Sequence, residues 1–294
     1  MGFVTDLKGS SRLGLLVAAS AATVGVIYGY DQSNIAGALL PLTAEFQLST
    51  HDQELVTTAV VVGQIVGALG GGALANRIGR KASMVLVALG FGVFSLLSGL
   101  AFSVPTLLVA RLLLGVTVGV SIVVAPVFVA ESAPTKVRGA MLVLYQVATV
   151  VGIIAGYLVA WAFAGAGSWR LLLGLAAVPA AVVVLMLLRL PDTARWYMLR
   201  GRRDDARRVL ADLDPDTDPD TELDEIAAAL SEERGGGVKE LLRTPWRRAT
   251  VFVVVLGFFI QITGINAIVY YSPRIFESMG FSGDTSSTTP ALLA

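Results

Sequence analysis

Two side chains in this sequence carry full charge where charge is expensive. Asp31 lies in the apolar run YGYDQSNIAGALL and Arg111 in the apolar run LLVARLLLGV. An ionisable group within hydrocarbon costs several kcal/mol and by default marks function. Counted from the outer ends of their runs, Asp31 sits about nine residues in, roughly 13 Å, and Arg111 about six, roughly 9 Å, at the helical rise per residue. Opposite charges at similar depth invite pairing, although eighty positions separate them. The plainer alternative is that Arg111 snorkels to the outer interface and Asp31 bonds locally. A buried acid with a cationic partner is suited to a proton relay, because its proton affinity changes when the partner moves.

A second set is polar and neutral: Gln146, then Gln261, Asn266, Tyr270 and Tyr271 in a later apolar run. Amides both donate and accept, which fits solutes covered in hydroxyls. Gly264 lies between Gln261 and Asn266, where a loosened helix lets both face one cavity. Interhelical hydrogen bonding is the competing use for any one of these side chains. Other chemistries are poorly supplied. The chain has no Cys and a single His, His51, so no Cys/His metal site is expected. Without a nucleophile beside a His base or a phosphate loop, an enzyme is disfavoured and no cofactor is expected.

The elements that must position these groups are membrane spans. The 294 residues are 55% hydrophobic, with a mean hydropathy of +0.73, too apolar for a soluble domain. Seven runs of about 20 residues, each able to cross roughly 30 Å of hydrocarbon, lie near 13–40, 55–75, 84–104, 107–130, 139–163, 169–190 and 249–273. All are expected to be helices, since open sheet leaves backbone groups unpaired in lipid. Lys8 and Arg12, then Arg77, Arg80 and Lys81, then Lys136 and Arg138 fall in alternate connections, while PLTAEFQLSTHDQE and AFSVP carry no Lys or Arg. By the positive-inside rule the former are cytoplasmic, and so is the N-terminus. Small residues at four-residue spacing (Gly63, Gly67 and Gly71; Gly115 and Gly119; Gly152 and Gly156) predict close helix contacts, as plain packing or as sliding surfaces.

Between 191 and 248 the composition turns polar. An Arg-rich helix over 195–213, a break at DPDTDPD and a second helix over 222–233 with a capping box at Thr221 are expected, then a joint at Gly235, Gly236 and Gly237. A solvated cytoplasmic insert and a gating latch are both open readings. The tail SSTTPALLA resumes an apolar character and reads as the start of an eighth span.

At these residues the chain resembles the sugar porters of the major facilitator superfamily. GGALANRIGRK looks like the cytoplasmic signature turn of the superfamily, and GYDQSNIAGAL, PVFVAESAPTKVRGAMLVLYQ, LPDTARWYMLRGR and QITGINAIVYYSPRIF match the narrower family in order and spacing. The resemblance implies proton coupling, with an acid at Asp31 and its partner at Arg111. It implies that Gln146, Gln261 and Asn266 hydrogen-bond a sugar, and that Tyr270 and Tyr271 contribute to its outer closure. It further implies a cytoplasmic salt-bridge network of Glu131, Arg77, Arg80, Arg138 and Arg195. Three positions depart from the pattern: Asn76 replaces the usual acid of the signature turn, Ile260 stands where a first Gln is frequent, and Asp192, Thr193 and Ala194 soften the motif before Arg195.

The expected fold is all-α: a six-helix bundle of two inverted three-helix repeats over 1–190, a helical linker over 191–248 and the first helix of an incomplete second bundle over 249–294. The expected function is proton-coupled import of a monosaccharide or polyol by alternating access, with the chain alone an inactive fragment. Another small polar solute such as an organic acid, or a non-transporting binding or regulatory role, are the alternatives. The expected partners are solute, proton and lipid bilayer, with no nucleic acid and a monomer when complete. The expected location is the bacterial inner membrane.

Overall fold

A computed structural model describes residues 11–133, 137–163, 168–214, 218–232, 243 and 246–280. Lys8, Lys136, Gly235 to Gly237 and the tail SSTTPALLA lie outside the described residues. Among those described, every regular element is a helix, and seven helices or helix pairs are long and apolar enough to cross a membrane.

The first five spans are α1 (Arg12–Phe46), α2 (Thr50–Ile78), α3 (Arg80–Gly99), α4 (Val104–Ser132) and α5 (Arg138–Ala162). The sixth is split into α6 (Trp169–Leu175) and α7 (Ala177–Leu188), and the seventh into α11 (Arg247–Ile262) and α12 (Ile265–Ser278). Between them lie α8 (Ala194–Leu199), α9 (Arg203–Leu213) and α10 (Pro219–Glu232).

Several boundaries differ from the hydropathy reading. The first helix continues to Phe46, through Pro41, and stops at Gln47 in the left-handed conformation. The second begins at Thr50 behind a reciprocal capping box of Ser49 and Asp52. The long polar connection expected there therefore shrinks to a tight turn, because hydropathy marks where lipid ends while backbone bonding and caps mark where the helix ends. The Arg-rich helix over 195–213 is broken at Gly201, whose φ of 71° ends α8. The Thr221 capping box is also corrected: Thr221 lies inside α10, and the Asp218 carboxylate accepts from the amides of Asp220 and Thr221 instead. Pro219, with no amide to satisfy, suits the first helical position.

Packing is extensive between α1 and α5 and between α2 and α4, and α3 lies against α6 and α7. Exchanging spans one, two and three for four, five and six maps the first pairing onto the second, the pattern of two three-helix repeats. Both interfaces rest on glycines. A Cβ on Gly63 would strike the Leu112 carbonyl and one on Gly115 the Val60 carbonyl, while across the other pair Gly152 meets the Val26 carbonyl. Large apolar side chains such as Leu69, Leu86, Val143 and Leu185 point outward, as expected of a lipid-facing surface.

Two apolar clusters fill the interior. One joins Ile27, Met84, Phe91, Leu114, Phe128 and Val183. The other, nearer the far ends of α1 and α4, joins Ile35, Leu42, Val56, Leu107, Trp169 and Leu172. Asp31 and Arg111 fall in sequence between the two clusters on their own helices.

Candidate functional site

Near the middle of α1, Asp31 accepts a hydrogen bond from Arg111 Nη1 of α4 at 3.2 Å. Their side chains are 3% and 2% exposed. Apolar cluster residues one turn to either side, Ile27 and Ile35 on α1, Leu107 and Leu114 on α4, keep the surroundings poorly polarisable. Such a pair is strongly coupled, and separating it leaves a buried charge uncompensated. One contact holds it: Arg111 Nε is buried with no hydrogen-bond partner in the protein. The snorkelling alternative does not describe this arginine.

The seventh span brings part of the neutral set together. It breaks at Gly264, with φ of 73°, and across the break Asn266 Nδ2 donates to Gln261 Oε1 at 2.9 Å. Tyr271 Oη lies 3.0 Å from Thr57 Oγ1 of α2, and Tyr270 packs against the apolar cluster of Ile35, Leu42 and Trp169. Tyr157 of α5 donates to the Val269 carbonyl at 2.7 Å and lies 2.8 Å from Ser272 Oγ. These contacts seat α12 against the bundle, whereas α11 has no buried residue. Gln146 is exposed on α5, and among the described residues no hydrogen bond joins it to Gln261 or Asn266.

A third constellation ties α3 and α4 to the segment after the sixth span. Glu131 is its hub. Arg80 Nε lies 3.0 Å from Glu131 Oε2, Arg80 Nη2 donates to Oε1 at 3.2 Å, and Arg195 Nε stands 3.8 Å from Oε1. Thr193 Oγ1 donates to Oε2 at 2.6 Å and accepts from the Trp196 amide, capping α8. Beside it, Asp192 Oδ1 accepts from the amides of Arg80 at 3.0 Å, Lys81 at 3.3 Å and Thr193 at 2.8 Å. α3 has no capping side chain of its own, so a carboxylate 112 positions away supplies the cap and meets the positive end of the helix. A Cβ at Gly79 would collide with that carboxylate.

Not every cation of the anticipated network joins the hub. Arg77 is exposed and contributes its carbonyl, which accepts from Arg200 Nη2. Arg138 lies within electrostatic reach of Glu222 of α10, and its Nε is buried without a hydrogen-bond partner in the protein. Asn76 is exposed and makes no ion pair. Sequence reasoning missed Asp192 as a cap, Tyr157 and Ser272 as the seat of α12, and Thr57 as the partner of Tyr271. The polar run Asp31–Gln32–Ser33–Asn34 was the one available signal that more than the acid is buried in α1.

The family described as "Sugar (and other) transporter" matches residues 17–293. The chain is similar to a galactose-proton symporter of Escherichia coli strain K12, 40% identical over 266 residues, covering 90% of this chain and 57% of the relative. It is also similar to an arabinose-proton symporter of the same strain, 37% identical over 278 residues, covering 94% of this chain and 59% of the relative. The chain thus spans less than two thirds of the length of these relatives. Among solved structures, the proton:xylose symporter XylE of the major facilitator superfamily, bound to 6-bromo-6-deoxy-D-glucose, superposes with a TM-score of 0.81 at 26% identity, covering 95% of this chain and 66% of that one. The partially occluded inward-open form of the E. coli xylose transporter gives 0.82 at 24% identity, covering 96% and 70%.

Proposed function

The chain belongs to the sugar (and other) transporter family, the sugar porters of the major facilitator superfamily, and from that premise we propose that it carries the proton site and part of the solute cavity of a proton-coupled sugar importer. Members of the family are transporters and not enzymes. The single observation that carries the proposal is the Asp31–Arg111 pair, 3.2 Å apart and buried between apolar clusters. No packing need requires it, since replacing a buried ion pair by apolar groups is often neutral or favourable. A buried acid whose charge is balanced by one cation becomes a proton site when that cation withdraws. If the pair is closed in one conformation and open in the other, protonation and conformation are linked, which is what coupling requires.

Gln261 and Asn266, joined across the Gly264 break, offer amide groups to a hydroxylated solute, with Gln146 contributing from α5 and Tyr270 and Tyr271 closing the far end. Monosaccharides or polyols fit this chemistry; galactose, arabinose and xylose, named in its relatives, are the first to try. The Glu131 hub with Arg80 and Arg195 acts as the clamp of the opposite end, and Arg77, Arg138 and Asn76 flank it.

The Arg-bearing end of the bundle is cytoplasmic. Arg80, Lys81 and α8 to α10 gather at one end, where Ser11 Oγ also donates to the Leu213 carbonyl, and retained positive charge assigns that end to the inside. Residues 1–190, 191–248 and 249–294 divide into first bundle, linker and first helix of a second bundle. With α11 uncovered, the 294 residues alone are not competent for coupled transport; saturable, gradient-driven uptake by the purified chain would refute that.

The decisive experiment measures sugar-induced proton uptake in proteoliposomes carrying the full-length transporter. Asp31→Asn, which mimics the protonated acid, abolishes accumulation against a gradient while sparing sugar binding. Accumulation with the parent's proton dependence in that variant overturns the assignment.

A further inference from the structure

Four buried side-chain acceptors among the described residues have no hydrogen-bond partner in the protein: Ser20 Oγ, Asn34 Oδ1, Gln53 Oε1 and Ser95 Oγ. Asn34 alone lies within one turn of Asp31. At i and i+3 on α1 the two share a helix face, with side-chain origins about 5–6 Å apart. Asn34 is 1% exposed, so water does not freely solvate it. Arg111, the partner of Asp31, has the complementary defect, a buried Nε donor without a hydrogen-bond partner in the protein. An unpaired amide oxygen one helical turn from Asp31 thus accompanies an unpaired N–H on the guanidinium that Asp31 binds.

Proton uptake creates a need that these two groups can meet. A hydronium ion gives up one O–H bond, its proton bonds to a carboxylate oxygen of Asp31, and neutral water is left behind. Arg111 then faces a neutral acid, and a buried guanidinium without a strong acceptor is costly. The charged and titratable side chains within electrostatic reach of Asp31 are Arg111 from α4, Tyr270 from α12, and Tyr28 and Tyr30 from α1 itself. None of the three phenols is anionic at neutral pH, so none replaces the lost negative charge.

We infer that Asn34 is the second acceptor of the Arg111 guanidinium, the group to which Arg111 turns when Asp31 takes its proton. Asn34 is thereby a positioning residue for coupling: it stabilises the separated pair and does not itself carry the proton. The inference rests on the proposed role of Asp31. An amide suits the task because it accepts without competing for the proton, whereas a second carboxylate would.

The test compares Asn34→Ala with Asn34→Ser, which differ by one acceptor oxygen, in proteoliposomes of the full-length transporter. Two assays are read with whichever of galactose, arabinose and xylose the parent accumulates: proton-driven accumulation, and counterflow exchange without a proton gradient. Asn34→Ala is expected to lose about tenfold or more in accumulation, the scale of a lost hydrogen bond to a buried charge, with exchange within about twofold of the parent. Asn34→Ser recovers part of the accumulation, and Asn34→Leu, which restores volume without an acceptor, behaves like Asn34→Ala. Equal accumulation by the alanine and serine variants overturns the inference, as does a parallel fall in exchange, which assigns Asn34 to packing. Asp31→Asn separates the two levels. If it keeps proton-driven accumulation, the proton-site reading fails and this one with it; if it loses accumulation while Asn34→Ala does not, only the role of Asn34 falls.

Discussion

The two charge constellations of this bundle are built on opposite plans. Inside the bundle, Asp31 and Arg111 meet through one hydrogen bond, with Arg111 Nε left over. Beyond Ile78, Glu131 is shared by Arg80, Arg195 and Thr193, while Asp192 beside it collects three backbone amides. Losing one contact of the second set leaves the others in place, so it resists opening as a unit. Losing the one contact of the first set separates the charges altogether. A single contact in a poorly polarisable interior suits the proposed switch, and redundant contacts near the water interface suit the proposed clamp.

The sharpest way to break this contrast is Arg111→Leu. Removing one partner of a buried pair costs about 3–5 kcal/mol, so the variant is expected to unfold at lower denaturant than any other discussed and to lose proton-driven accumulation. Stability equal to the parent would mean that the pair is not buried in the membrane. Glu131→Gln comes next. It takes the charge from two arginines, each charge-assisted contact contributing about 1.5–3 kcal/mol, but the Asp192 contacts remain. The chain has no native Cys, so a single cysteine at buried Ser132 reports the opening by faster thiol labelling; an unchanged rate removes Glu131 from the clamp.

Asp192→Ala should be smaller again, at about 0.5–2 kcal/mol for a lost cap. Faster amide exchange at Arg80, Lys81 and Thr193 is the expected signature, and protection equal to the parent would show that the cap is dispensable. The smallest effect concerns Glu222, whose carboxyl burial pushes above the ordinary value of 4.5 despite the opposing pull of Arg138. Folding favours its protonated form, so its contribution is full below the ordinary carboxyl range and lost as pH rises through the raised value. Glu222→Gln should flatten that part of the pH dependence of α10 docking, read by proteolysis of the 191–232 segment; an unaltered profile would exclude Glu222 as its source.

Much of the site was legible in the residues because cost singles it out. A charge such as Asp31 or Arg111 in an apolar run needs a reason, and two of opposite sign at similar depth point to each other before any helix is placed. The glycines at four-residue spacing likewise announced close helix contacts, and the α2–α4 interface uses Gly63, Gly67, Gly115 and Gly119. The partners that carry no such cost were silent. Thr57, Tyr157 and Ser272 are ordinary in a span, and only the meeting of Thr57 with Tyr271 and of Tyr157 with Ser272 gives them a role in seating α12.

The sequence by itself determined that the chain is helical and membrane-spanning, where its charges lie and which family it resembles, because hydropathy, charge cost and motif order are properties of the chain read along its length. Tertiary structure decided which groups meet. It bent Asp192 back onto the start of α3, brought Arg138 within electrostatic reach of Glu222, left Arg77 and Asn76 in the open, and left Asn34 Oδ1 and Arg111 Nε buried without hydrogen-bond partners. Those outcomes depend on the rotation of each helix about its axis. Rotation is fixed by how neighbouring surfaces pack, and no local pattern encodes it.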